Sequence, residues 1–149
     1  MTCSMDKNVP TQVPATKPIP KLETRTVKLG FLMAAKLDPD NDIHAEVAGS
    51  KNWNDPHLIV EVPPGQEYCA ARKALWTLVA KELPANSTSV IHVMQSPSPV
   101  TVTGYVFLDT AHGKTNFCKT SGGRGVRRQG VQKVQGLWEI HPVLEIKGQ

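Results

Sequence analysis

Residues 66–83 read Q-E-Y-C-A-A-R-K-A-L-W-T-L-V-A-K-E-L. Apolar side chains fall at Cys69, Leu75, Trp76, Val79 and Leu83, with alanines between them and Pro84 just after. That spacing is helical, and a proline cannot continue the ladder, so the stretch predicts an amphipathic helix ending at Pro84. Its apolar face must cover something, most simply one end of a sheet or barrel. Everything around it has period two.

Upstream, T-R-T-V-K-L-G-F-L-M-A-A (Thr24–Ala35) is strand-like, with Gly30 as a bulge or bend point. L-D-P-D-N-D reads as a turn, and I-H-A-E-V-A-G then alternates as a half-buried strand should. A polar loop, Gly49–Pro56, leads to H-L-I-V-E-V (His57–Val62), closed by Pro63-Pro64-Gly65. These three segments predict a meander. Downstream, S-V-I-H-V-M-Q is a strand or an extended lead-in. P-V-T-V-T-G-Y-V-F-L-D-T (Pro99–Thr110) is the strongest strand pattern and again carries an internal glycine, Gly104. A glycine-rich basic segment follows, and then G-L-W-E-I-H-P-V-L-E-I (Gly136–Ile146), whose ladder Pro142 is expected to interrupt.

The predicted order is β-β-β-α-β-β, mainly β with one helix. Five strands with a helix between the third and fourth, and glycines at bend points in long strands, match a small OB-like barrel. The rival is an open α+β sheet with the helix on one face. The chain's 149 residues suffice for one domain and not for two good cores. Residues 1–22 hold four prolines and few apolar side chains, so they read as a disordered leader ahead of a single domain, 23–149.

Apolar residues make up 40% and aromatics 5%, which implies a modest Val/Ile/Leu core. No apolar run approaches a membrane span, so no membrane partner is expected. M-T-C-S-M-D-K-N lacks the apolar stretch of a signal peptide, leaving a cytoplasmic protein or an exported one after processing both open. Cys3, Cys69 and Cys118 have no metal-type spacing. Cys69 and Cys118 either pair or remain two buried thiols. Net charge is +4, yet residues 112–137 carry six positive charges and no acid (Lys114, Lys119, Arg124, Arg127, Arg128, Lys133), leaving the remainder at −2. A basic loop on a slightly acidic body suits an anionic partner such as nucleic acid. A loop kept solvated by its charges is the plainer alternative.

Side chains able to do chemistry collect at strand segments and strand ends. They are Asp42 and His44 in D-x-H, Glu61 in the third strand, Asp109 and His112 in F-L-D-T-A-H-G, and Glu139 and His141 in E-x-H. Residues i and i+2 on a strand share a face, so each carboxylate should lie beside its histidine. A carboxylate there orients the ring and fixes its tautomer, and the combined set suits a divalent transition-type ion. Structural readings stand beside these. E-x-H can be a solvent-facing pair, Asp42 a turn residue, Asp109 an Asx cap, and Glu61 a strand residue facing water. His57 and His92 read as ordinary strand or surface residues. S-G-G-R-G-V-R lacks the G-K-[ST] ending of a P-loop.

Taken in order, D-N-D-I-H, L-I-V-E-V-P, V-T-V-T-G-Y-V-F-L-D-T-A-H-G and W-E-I-H-P-V-L-E-I resemble a group of small, largely uncharacterised bacterial proteins. Its members share D-x-H, I-V-E-x-P, V-x-G-x-x-F-x-D-x-x-H and E-[IL]-H-P-V segments over roughly residues 25–146. The resemblance implies no activity. It marks Asp42, His44, Glu61, Asp109, His112, Glu139 and His141 as the positions that matter. Many members look exported.

Three functions follow as expectations. The first is a metal-dependent phosphodiester hydrolase, nuclease-like. Asp42, His44, Glu61, Glu139 and His141 would be catalytic, and His44, Asp109, His112 and His141 would hold a divalent metal. Lys119, Arg124, Arg127 and Arg128 would bind phosphate. The second is a non-catalytic nucleic-acid-binding module, disfavoured by the few aromatics; Trp53, Trp76, Tyr105 and Trp138 are the stacking candidates, with Trp76 expected in the core. The third is an interaction domain whose polar residues form a buried network. The first requires that the dispersed histidines and carboxylates meet in a pocket at a barrel mouth.

Overall fold

Alternation does most of the local work. I-H-A-E-V-A and H-L-I-V-E-V form strands β2 (Ile43–Ala48) and β3 (His57–Val62), preceded by a long β1 (Arg25–Leu37). β4 (His92–Leu108) and β5 (Val134–Gly148) complete the sheet. The computed structural model describes residues 25–83, 90–108 and 134–149, with backbone alone at 25–27, 108 and 134–138. The leader 1–22 therefore lies outside the described residues, as do Pro84, Cys3, Cys118 and the segment 109–133 with Asp109, His112, Lys119, Arg124, Arg127 and Arg128.

The D-P-D-N-D turn forms as expected. Asp38 N–H donates to Asp42 O at 2.9 Å, Asn41 N–H donates to Asp38 O at 2.8 Å, and Asn41 takes the left-handed conformation (φ 70°) that asparagine tolerates. The expected helix is shorter than its sequence period. A 3₁₀ turn (Gln66–Tyr68) leads into α1 (Cys69–Val79), and a turn carries the chain on to Leu83. From His92 onward the lead-in and the segment from Pro99 to Leu108 are one continuous strand. The observed order is thus β-β-β-3₁₀-α-β-β.

The sheet closes on itself in the order β1-β2-β3-β5-β4. The open-sheet alternative is therefore not what the chain forms. Most neighbours are antiparallel; β3 and β5 run parallel, with Ile59↔Glu139 and Val60↔Ile140 in register. β1 serves two partners and its register slips between Leu32 and Ala34, so the bulge sits at Met33 rather than at Gly30. Gly30 meets a different need: a Cβ there would lie 2.5 Å from Ala48 O and 2.6 Å from Val47 Cγ1. Gly104 combines both roles. The β4–β5 register shifts on either side of it, and a Cβ would overlap the Ile140 side chain and lie 2.5 Å from Pro142 O. Pro142 does not end β5. The last β3 pair is Val60↔Ile140, so by Pro142 that neighbour asks for no N–H, and β5 continues beside β4 to Gly148. The His141–Pro142 bond is cis.

One face of the strands builds the core: Ile43, Ala45 and Val47; Val60 and Val62; Val100 and Val102; Ile140, Val143 and Ile146. Leu75 and Val79 of α1 close it, and Trp76 packs against it only half-buried. Parity then sends His44, Glu46, His57, Ile59, Glu61, Glu139 and His141 to the opposite face. That face is not open to water: Met33 is 1% exposed, Ile59 2% and Glu46 0%. Cys69 is disulfide-bonded, which removes the free-thiol reading for that residue; the chain's other two cysteines both lie outside the described residues.

Candidate metal centre

Register assembles the site. Lys36 of β1 is paired with His44, and His44 with Glu61. One step past the Val60↔Ile140 pair, Glu61 meets His141 of β5. A polar row thus crosses four strands on the face away from the core. The pocket expected at a barrel mouth is replaced by this row, because alternation sends the even-numbered side chains of β2 outward while Ile43, Ala45 and Val47 fill the interior.

Glu61 is the hub. Its Oε1 lies 2.7 Å from His44 Nδ1 and its Oε2 3.1 Å from His141 Nδ1. An ionised carboxylate only accepts, so the His44 Nδ1–H donates to it. Asp38 Oδ2 stands 3.9 Å from His44 Nδ1, and Lys36 pairs closely with the other oxygen of Asp38. On the far side, Asp42 Oδ2 is 3.9 Å from His141 Nε2 and Glu139 Oε1 is 3.7 Å from His141 Nδ1. The line also runs inward: Glu46 Oε1 lies 3.9 Å from His44 Nε2, and His57 Nδ1 hydrogen-bonds Glu46 Oε2 at 2.8 Å.

Neither expected pair, Asp42 with His44 nor Glu139 with His141, is therefore the closest contact of its histidine. His44 takes Glu61 from β3, and His141 sits closer to Glu61 than to Glu139. Cross-strand neighbours approach more nearly than residues two apart on one strand, whose Cα atoms stand about 7 Å apart. Asp42, His44, Glu61, Glu139 and His141 nonetheless lie along one row, while Asp109, His112 and the basic candidates fall outside the described residues. Four participants were missed: Glu46, His57, Asp38 and Arg72. Parity could have found two of them, since Glu46 shares a face with His44, and His57 with Glu61. His57 is fully buried rather than an ordinary surface residue, and its ring meets Trp53 edge-on at 4.8 Å. Trp53, a stacking candidate by sequence, is thus in contact with His57. Arg72, on the inward face of α1, donates from Nη1 to Val62 O at 2.8 Å. No helical pattern predicts a cation on the core side.

Exposure grades along the row. The side chains of Glu46 and His57 are 0% exposed and His44 4%, whereas Asp42 is 14%, Glu61 17%, Asp38 18% and His141 22%. The electrostatics follow the contacts. Burial alone would lower the pKa of His141, but the Glu139 and Glu61 carboxylates push it up to about 10. Burial disfavours ionised Glu61, yet its bonds to His141 and His44 hold it well below the usual carboxylate range. For His44, burial is again outweighed, by Glu46 and Glu61, and its pKa is raised. Asp42 goes the other way: burial, then the charge on Asp40, push it up to about 7 against the fields of His141 and Arg72.

Two overlapping donor groups emerge, Asp38–His44–Glu61 and Asp42–Glu61–His141, each with ligand atoms within 4.8 Å of one another. Imidazole plus carboxylate is the donor set of zinc, manganese and iron sites.

No family model, curated protein or solved structure matches this chain. The functional reading accordingly rests on the site alone.

Proposed function

We propose that the chain is a metal-dependent hydrolase of phosphodiesters on an OB-like barrel. The carrying observation is the convergence of Asp42, Glu61 and His141 at the more exposed end of the polar row, with side chains 14–22% exposed. The ring order and the helix between the third and fourth strands support the OB-like assignment. A divalent ion held there supplies Lewis acidity toward a phosphoryl oxygen. Glu61, kept ionised by two imidazoles, is suited to ligate, and an ion there would hold Asp42 ionised beside it, although burial raises its pKa in the cation-free protein. Asp109 and His112 follow β4 along the chain, and Phe107 near the end of that strand packs edge-on to His141 at 5.5 Å. They remain candidate ligands, and Lys119, Arg124, Arg127 and Arg128 candidate phosphate contacts. Nucleic acid is the proposed partner because its charge repeats along a backbone that the basic segment can follow.

One observation favours a second, purely structural reading: the deep end of the row, Glu46 and His57, is wholly buried. The experiment divides the two. Protein stripped with chelator is reloaded with Mn²⁺ and given single- and double-stranded DNA and RNA. The hydrolase reading expects cleavage that needs the added ion and is lost in Glu61→Gln. Mn²⁺-loaded protein that cleaves none of the four substrates overturns it. Retained, salt-sensitive binding would then leave a nucleic-acid-binding module, and its absence a structural network.

A further inference from the structure

We infer that the cluster takes two divalent cations bridged by Glu61, with His44 as the ligand of the inner one and Glu46 and His57 as its positioning residues. This rests on the metal reading above and goes beyond it in number, bridge and outer support.

The bridge is visible in how Glu61 divides its oxygens. Oε1 addresses His44 and Oε2 addresses His141, so one carboxylate serves two imidazoles with separate atoms. Each imidazole has its own aspartate at 3.9 Å, Asp38 for His44 and Asp42 for His141. The two donor groups are thus alike in composition, one histidine and one aspartate apiece, and share a single residue.

The independent sign comes from the deep end. Among the described residues, His44 Nε2 and Glu46 Oε1 are both buried and without hydrogen-bond partners, although they face each other across 3.9 Å. Buried polar atoms are rarely left so. A histidine that ligates a metal through one nitrogen usually donates its other N–H to a carboxylate, which fixes the ring. Here the carboxylate is in place and the hydrogen bond is about 1 Å from closing. With no cation, Nδ1 carries the proton that Glu61 accepts, and this 2.7 Å bond draws the ring away from Glu46. With a cation on Nδ1, the ring proton sits on Nε2, and Glu46 Oε1 accepts it. Glu46 is itself held from behind by His57 Nδ1–H on Oε2 at 2.8 Å, with Trp53 against the His57 ring. The third unpartnered atom, His57 Nε2, lies at the far end of the line and has no part in this arrangement.

The test uses full-length protein stripped with chelator and titrated with Mn²⁺, followed by equilibrium dialysis with metal analysis and by electron paramagnetic resonance. The expectation is two Mn²⁺ per chain with an exchange-coupled spectrum. Asp38→Asn should leave one ion with an uncoupled spectrum. Glu46→Gln, nearly isosteric and checked for folding by circular dichroism, should weaken the second binding step about 10- to 100-fold and leave the first unchanged. One uncoupled Mn²⁺ in the wild type refutes the two-ion centre while the single-site reading survives. No bound Mn²⁺ refutes both. Two coupled ions with unchanged affinities in Glu46→Gln refute the positioning role.

Discussion

Glu61→Gln is the substitution that weighs most on the site, and its cost can be worked from the contacts. In the cation-free protein Glu61 accepts from two imidazoles, at 2.7 and 3.1 Å. Glutamine keeps one acceptor oxygen and presents an NH₂ to the other ring, so one Nδ1–H is left facing a donor. Removing one member of a buried charged pair costs about 3–5 kcal/mol. Glu61 is 17% exposed, so water relieves part of that, and about 2–3 kcal/mol is expected. For a folded domain of this size that corresponds to a fall in Tm of roughly 10 °C. The pH profile carries a sharper signature. A carboxyl whose folded pKa is depressed adds stability above its ordinary value of 4.5 and loses it as pH falls below that. A histidine raised to about 10 adds stability in full below its ordinary 6.5 and loses it as pH climbs from there to about 10. The pair should therefore make cation-free wild type lose stability on both flanks of a pH 4.5–6.5 window. Glu61→Gln should flatten the acid flank and reduce the alkaline one, part of which Glu139 sustains. Thermal melts in chelator from pH 3 to 10 check this. A variant that melts within about 2 °C of wild type at pH 6, or that keeps the alkaline decline in full, refutes the role given to Glu61.

Asp42→Asn should act in the opposite sense. An acid raised to about 7 opposes folding increasingly as pH rises from 3.8 to 7, so the amide should raise Tm in chelator at pH 8 and leave it nearly unchanged at pH 3, while lowering Mn²⁺ affinity; melts at the two pH values and dialysis check it. Gly104→Ala places a methyl against Ile140 and Pro142 O, where only backbone movement makes room, and should cost about 1–3 kcal/mol or more in urea melts without altering the wild-type m-value much. Unfolded under non-reducing conditions, the chain should titrate with one free thiol, the remainder of three cysteines once Cys69 and its partner are paired; three thiols per chain would contradict the disulfide.

What could be read along the chain was whatever depends on near neighbours. β3 is bounded by Pro63 and by the polar loop before His57, and its limits follow from those residues. The helix period at Leu75 and Val79 marks the face that closes the core. The turn before Ile43 follows from D-P-D-N-D. Pairing between distant segments was less legible. Nothing near Glu61 says that β5 lies parallel beside β3, yet that pairing brings His141 to it. The burial of His57 and Glu46 was hidden for a related reason. Parity assigns them a face, but only the assembled ring decides whether that face meets water. The bulge at Met33 was misplaced onto Gly30 because a glycine serves close approach as readily as bending.

Of the three carboxylates beside His141, Glu61 and Asp42 differ most in their surroundings. Glu61 and Asp42 contact the same ring from different sides, and their environments push them in opposite directions. Glu61 has two imidazole partners and stays ionised. Asp42 has Asp40 as an unfavourable neighbour and Arg72 only at a distance, so it exchanges its proton near neutrality. Two carboxylates equally satisfied by His141 would hold the strands better than this division does. Replacing such a buried polar row with packed valine and isoleucine is often neutral or stabilising. In the cation-free protein the division leaves one group always negative and one that can give and take a proton; under the proposed metal reading an ion between them would hold both ionised. It also lies at the more exposed end of the row, while the atoms of His44 and Glu46 that lack partners among the described residues lie at the closed end.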